Sequence, residues 1–279
     1  MSADYINSPQ VRKSFTRASS HYDDHAVLQR EIGDRLDAHL NFVKLQPKRI
    51  LDIGCGTGYF SRLLQQRYKK SELYMLDVSG SMLQQATQQQ PRRFPWQAKH
   101  HYMQADAQAL PFATGSFDLV TSNLTMQWVT NPQKMMQEMR RVLAPKGMIL
   151  FSTFGRRTLI ELRQCLATLK ASGNMLAFPD VTSLGNSLQS LALEDLVSDS
   201  DLFTLEYPDV MALVRELKGM GASSSAIQHR QKGLYGRRLL RQLADEYTYG
   251  NDKGGVNASF EALYAQAWYK KDSIPIYAE

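Results

Sequence analysis

Cysteine is scarce in this chain: only Cys55 and Cys165 occur among 279 residues. Two thiols cannot build the disulfide framework of a small secreted domain, and without a CxxC pair or a Cys/His cluster they outline no zinc site. No apolar run approaches the roughly 20 residues that a membrane-spanning helix requires. The stretch MSADYINSPQVRKSF lacks the apolar core of a secretory signal, and its early acidic residue weighs against a transit peptide. We expect a reduced, metal-free chain without membrane partners, with the cytoplasm as its default address.

What is present is ordinary for a globular protein, with 43% hydrophobic and 22% charged residues. The length suits one large α/β unit with insertions or a small cap. The formal net charge of +6 is unevenly distributed. Seven basic residues, Arg215, Lys218, Arg230, Lys232, Arg237, Arg238 and Arg241, face only Glu216 in the same stretch, which therefore carries +6 by itself. Such a segment suits an acidic partner, RNA or an acidic carrier protein, and can equally be a solvated face.

From Arg49 onward, short β-rich runs alternate with helical ones, the pattern of a parallel sheet wound with helices. Strands are expected at RILDI (49–53), ELYMLD (72–77), HHYMQAD (100–106), SFDLVTSN (116–123), GMILFSTF (147–154), DLFTLEY (201–207) and SFEALYAQAWYKK (259–271). Helices are expected through SRLLQQRY, from Ser79 through QQATQQQ, in PQKMMQEMRRVLAP and TLIELRQCLATL, and in VMALVRELKGMGA. AFPDVTSLGNSLQSL reads as a helical excursion and SSSAIQHRQKGLYG as an irregular insertion. Residues of about 26–40 carry helical pattern ahead of the sheet. Met135, Met139, Val142 and Leu143 recur at helical spacing, which marks them as packing residues.

The run ILDIGCGTGYF joins a buried strand, a tight glycine turn at Gly54, Cys55, Gly56 and Gly58, and a helix start, so backbone N–H groups are aimed at a ligand. A dinucleotide fingerprint would need glycine where Tyr59 stands, which argues against a nicotinamide cofactor. Asp52, two positions before the first glycine, can receive the ammonium of a methionine moiety, directly or through water. Asp77, 23 residues beyond Gly54, ends the second strand, where a carboxylate can accept both ribose hydroxyls. Beside it are Val78 and, five residues on, Met82, positioned for an adenine face. Asp106 can accept from the adenine amino group and the backbone N–H of Ala107 can meet a ring nitrogen. Together these residues read as a site for S-adenosylmethionine, with S-adenosylhomocysteine as the product.

Four stretches carry a more particular likeness: RKSFTRASSHYDDHAVLQREIGDRL, SNLTMQWV, FSTFGRRTLIELR, and VRELKGMGASS followed by GLYGRRLLRQL. Over nearly the whole chain it resembles the biotin-pathway malonyl-carrier-protein O-methyltransferases, the BioC family. The resemblance implies a Rossmann-like class I methyltransferase fold. In it a mostly parallel seven-stranded sheet has an antiparallel last strand and helices on both faces. Residues 1–45 would form an N-terminal helical lid over a methyltransferase domain at 46–279, with cap insertions near 156–195 and 221–256. The implied activity is methyl transfer to the free carboxylate of malonyl-acyl carrier protein, docked through the basic segment, with no nucleic-acid partner and no metal. An ionised carboxylate needs no general base, so positioning and exclusion of water should dominate.

Tyr22 is the first candidate for the lid, its ring beside the sulfonium and its hydroxyl on a carboxylate oxygen. Arg156 or Arg157, after the fifth strand, could hold the other carboxylate oxygen. Asn123 and Gln127 lie where this fold presents side chains to the methyl, although Asn123 can also form a turn. Two other readings stand beside this one: a complex I assembly factor of methyltransferase type, acting on a protein arginine, and a module that keeps S-adenosylmethionine for structure alone.

Overall fold

The computed structural model describes residues 8–19, 21–90, 98–171, 178–219, 234–250, 252 and 254–269. Three helices precede the sheet: α1 (Ser8–Ala18), α2 (Tyr22–His25) and α3 (Val27–His39). Strands β1 (Arg49–Ile53), β2 (Glu72–Asp77), β3 (His100–Gln104), β4 (Phe117–Asn123) and β5 (Leu143–Phe154) then alternate with α4 (Tyr59–Arg67), α5 (Gly80–Gln89) and α6 (Pro132–Val142). The rest of the chain gives α7 (Ile160–Thr168), α8 (Val181–Gln189), β6 (Glu194–Tyr207), α9 (Val210–Gly219), α10 (Leu234–Glu246) and β7 (Val256–Trp268).

The strand order is β3-β2-β1-β4-β5-β7-β6. The first five strands run parallel, and β7 inserts antiparallel to both β5 and β6. This is the expected seven-stranded arrangement with an antiparallel last strand. After β1 the chain winds to one side through β2 and β3, then crosses back to β4. The order therefore reverses between β1 and β4, and the C-terminal ends of these strands open a crevice there.

Both faces of the sheet are covered because the strand residues are apolar in both directions. On one face, Leu28, Ile32 and Leu36 of α3, Phe60 and Leu64 of α4 and Leu213 and Val214 of α9 pack with Ile50, Met75, Leu119 and Leu150. On the other, Met135, Met136, Met139 and Val142 of α6 and Leu184 and Leu188 of α8 pack with Leu51, Val120, Ile149 and Phe151. The methionines of α6 are thus core, as their spacing indicates. Asn131 caps α6, accepting from Lys134 N at 3.0 Å ahead of Pro132.

Several boundaries differ from the sequence reading. β6 begins at Glu194, seven residues before the expected start. Among its exposed residues Asp195, Asp199, Ser200 and Glu206, of the charged and polar kind that protects an edge strand, stand beside Val197 and Leu202, and this mixture hid the alternation. β7 starts at Val256, fixed by its register with Tyr207. Helix α10 had no counterpart in the reading, although Leu239, Leu243 and Tyr247 recur every four residues and are buried. Its first residues, Leu234 to Gly236, fall in the stretch read as irregular, whose remainder lies outside the described residues.

Candidate active site

The site is built where β1 and β4 part. Gly54, Gly56 and Gly58 have φ of 70°, 54° and 82°, left-handed values that glycine adopts without strain. A Cβ at Gly54 would lie 2.1 Å from Thr125 Oγ1, whereas one at Gly56 would meet no atom within 4 Å, so the backbone there faces open space. Gly54 N and Cys55 N both donate to Leu76 O, which hangs the loop on the end of β2.

Asp77, the last residue of β2, accepts from Gly56 N at 3.0 Å on Oδ2 and from Ser79 N at 2.8 Å on Oδ1. Each oxygen keeps a further lone pair for a ligand. Burial pushes its pKa up to about 6, against the opposing pull of the Ser79, Gly56 and Val78 amides. Asp52 is also raised to about 6 by burial, although the Ser61 and Thr121 hydroxyls donate to its carboxylate and oppose the rise. Desolvation first, and then the nearby Asp77 and Asp23 charges, raise the Tyr22 phenol, which stays protonated.

Two adjoining pockets share a wall made of Tyr22, Gly54, Gly56, Asn123 and Leu124. The larger encloses about 750 Å³ out to its mouth and is also lined by Asp77, Val78, Met82, Asp106 and Ala107. The smaller is lined by Asp52 and Cys55 together with Asp23, Gln29, Arg30 and Thr57. Every residue expected to bind the cofactor therefore faces one pocket or the other. Burial raises the Cys55 thiol well above its ordinary value, so it is no base.

The other expectations fare differently. Asn123 donates through Nδ2 to Gln29 O at 3.1 Å and accepts from Ser152 Oγ at 2.6 Å, so its amide ties α3 to the sheet while one side walls the pockets. Gln127 is turned into the protein, where Thr153 Oγ1 donates to it at 3.2 Å. Arg156 has a 71% exposed side chain 3.6 Å from Asp180. Arg157 is exposed, its backbone N held by Glu261 Oε2 at 2.9 Å. None of Gln127, Arg156 and Arg157 lines either pocket. The two pockets thus do not include these three expected residues, and both arginine side chains are exposed.

Other residues enter the site unannounced. Phe15 of α1 packs edge-on against Trp128, with ring centres 5.2 Å apart, and both line the larger pocket. Both lie in stretches already singled out, RKSF and TMQWV, but an aromatic there is indistinguishable from core until α1 is seen folded over the crevice. Gln108 donates to Asp106 and accepts from Thr130 Oγ1 and Asn131 N, fixing the orientation of that carboxylate. Asp23 accepts from Thr57 Oγ1 and from Gln89 Nε2, both at 2.7 Å, and so pins α2 to the glycine loop and to α5. Arg30 donates to Asp23 O at 2.7 Å and is the one cation among the residues lining the smaller pocket.

Of the basic segment, Arg215 on α9 lies 3.9 Å from Asp209, and Arg238 and Arg241 on α10 are exposed. Lys218 lies in α9 and Arg237 in α10. Arg230 and Lys232 lie outside the described residues. Among the described residues there is no group of His, Cys, Asp or Glu fit to hold a metal, and no helix long and apolar enough to cross a membrane.

Comparison with known proteins agrees with this geometry. Residues 51–151 match a family model described as a methyltransferase domain. Among solved structures, the YcgJ protein of Bacillus subtilis superposes with a TM-score of 0.57 at 17% identity, covering 85% of this chain and 99% of that one. A possible histamine N-methyltransferase of Thermotoga maritima gives 0.54 at 16% identity, covering 93% and 100%. These likenesses show the class I methyltransferase fold. Malonyl-[acyl-carrier protein] O-methyltransferases are much nearer in sequence. That of Halorhodospira halophila is 38% identical over 95% of this chain and 89% of its own length. The corresponding figures for the Legionella pneumophila protein are 33%, 93% and 90%. With identity of this level over more than nine-tenths of its length, the chain belongs to the malonyl-[acyl-carrier protein] O-methyltransferase family.

Proposed function

We propose that this enzyme transfers a methyl group from S-adenosylmethionine to the free carboxylate of a malonyl group on acyl carrier protein, in the cytoplasm and without a metal. The supporting observation is the junction of two pockets at Tyr22 and Asn123, with no histidine or lysine in either lining. A malonyl carboxylate is ionised at neutral pH and needs no general base, so the aspartates of these linings are left to hold the cofactor. The bound cofactor supplies an electrophilic methyl on its sulfonium.

The larger pocket fits the nucleoside end: Asp77 would accept from the ribose hydroxyls, Met82 would lie against the adenine and Asp106 would accept from its amino group. The smaller fits the zwitterionic end, with Asp52 for the ammonium and Arg30 for the carboxylate. Tyr22, at the shared wall, would orient one oxygen of the malonyl carboxylate. Phe15, Tyr22 and Trp128 would keep water out, which favours a reaction whose ground state is more charged than its transition state. The guanidinium role expected of Arg156 or Arg157 drops out of this reading. Arg215, Lys218, Arg230, Lys232, Arg237, Arg238 and Arg241 would attract the acidic carrier.

Mass analysis of malonyl-carrier protein after incubation with the enzyme and S-adenosylmethionine tests the reading. One added methyl on the acyl group is expected. An unchanged acyl group, or methylation of the carrier polypeptide, would overturn it.

A further inference from the structure

Helix α1 has two unlike sides. Phe15 reaches inward to Trp128 and the larger pocket, and Thr16 meets Ser79 at the start of α5. Arg12, Lys13 and Arg17 are exposed. At about 100° per residue, Lys13 and Arg17 lie one turn apart and about 160° from Phe15, while Arg12 lies on the flank, about 60° from Phe15. The helix, SPQVRKSFTRA, contains no acidic residue. Among the described residues, none of the three cations takes part in an ion pair.

Lys13 and Arg17 thus stand on the outside of a wall one helix thick, about 10 Å, with Arg12 on its flank, and the inside of that wall closes the pocket. The next helix, α2, carries Asp23 and Asp24 and packs against α9, where Arg215 is exposed 3.9 Å from Asp209.

We propose that the outer face of α1 is a docking surface for the acidic carrier protein, which from there sends its acyl arm around the helix into the pocket mouth. The proposal rests on the carrier-protein reading given above. Charge complementarity selects the occupant: exposed cations in no ion pair among the described residues steer an acidic globular partner, while nucleic acid would call for a longer track of phosphate contacts. A partner seated on α1 also presses Phe15 against Trp128, so docking and closure of the pocket reinforce one another.

Fluorescence anisotropy with labelled malonyl-carrier protein tests this, using the full chain saturated with S-adenosylhomocysteine. The triple variant Arg12→Glu, Lys13→Glu, Arg17→Glu should bind the carrier at least tenfold more weakly. Its affinity for S-adenosylhomocysteine, from calorimetry, should stay within twofold of wild type. The neutral variant Arg12→Gln, Lys13→Gln, Arg17→Gln should fall between, which guards against a reversal that simply damages folding. Unchanged carrier affinity in both variants overturns the proposal, as does an equal loss of affinity for carrier and S-adenosylhomocysteine. Tighter wild-type binding to a single-stranded RNA than to the carrier does so too. A wild type that binds carrier in this α1-dependent way but leaves its malonyl group unesterified sustains the docking surface and sinks the substrate reading instead.

Discussion

Gly56 and Asp77 are joined across 21 residues by a 3.0 Å hydrogen bond from the Gly56 amide to Oδ2 of the carboxylate. The contact locks the glycine turn to the end of the neighbouring strand, so the carboxylate is oriented before any ligand arrives. Asp77→Ala removes an acceptor for two ribose hydroxyls and frees the turn. Affinity for S-adenosylhomocysteine should fall by about 2 kcal/mol or more, measured by calorimetry. An unchanged affinity would remove Asp77 from the cofactor site.

The same burial makes binding sensitive to pH. Asp52 and Asp77 titrate at about 6 in the folded protein, against about 4 in an unfolded chain. Carboxyls raised in this way stabilise the ligand-free fold while protonated. That contribution is full below pH of about 4 and is lost as pH climbs through about 6. Cofactor binding has the opposite sense, since an ammonium and ribose hydroxyls call for ionised carboxylates. S-adenosylhomocysteine should therefore bind at least tenfold more weakly at about pH 5 than at about pH 7.5, and Asp77→Asn should flatten part of that slope. Equal affinities at the two pH values in the wild type would contradict the assignment of both carboxylates.

Tyr22→Phe keeps the ring on the shared wall of the two pockets and deletes the hydroxyl. If that hydroxyl orients the substrate carboxylate, turnover should drop about tenfold or more with little change in S-adenosylhomocysteine affinity. Full activity would return Tyr22 to a packing role beside Phe15, whose ring centre is 6.4 Å away.

Arg30→Met tests the smaller pocket. The variant should bind S-adenosylhomocysteine about tenfold more weakly, the loss of one charge-assisted contact. Affinity for 5′-methylthioadenosine, which lacks the amino-acid end, should hardly change. Parallel losses for both ligands would mean that Arg30 acts through its bond to the Asp23 carbonyl, holding α2 in position.

Reversing Arg237 and Arg238 to Glu should raise the Michaelis constant for malonyl-carrier protein several-fold, and wild-type activity should fall as salt rises beyond about 0.1 M. Malonyl-coenzyme A, which has no acidic protein surface, should be affected less. Equal effects on both substrates would assign the two arginines to the shared arm or to the fold of α10.

Much of the pocket lining was legible because its residues sit at the ends of regular elements. A strand, a turn and a helix of known geometry carry Gly54, Asp77 and Met82 to one edge of the sheet, and the spacing between them is set locally. The N-terminal segment was legible only as a helix, since periodicity shows that α3 has a buried face but not which crevice α1 and α2 cross. The outer part of β6 escaped notice because its Asp, Ser and Glu residues answer to its place at the sheet edge, which no local pattern reveals. In α10 the signal was present in Leu239, Leu243 and Tyr247 and was obscured by the surrounding basic residues.

By itself, the sequence determined the alternation of strands and helices, the glycine turn and the three aspartates at strand ends, since each depends on backbone geometry over a few residues. Only the tertiary structure decided that Arg30, rather than Arg156 or Arg157, lines one of the two adjoining pockets. That choice turns on long-range partners: Asn123 reaches Gln29 across 94 residues and so seats α3, and with it Arg30, against the glycine loop. Glu261 takes the Arg157 backbone amide across 104 residues, and Asp180 meets the exposed Arg156 side chain. A side chain's direction at the end of a strand is set by what packs beside it, and those neighbours are distant in sequence.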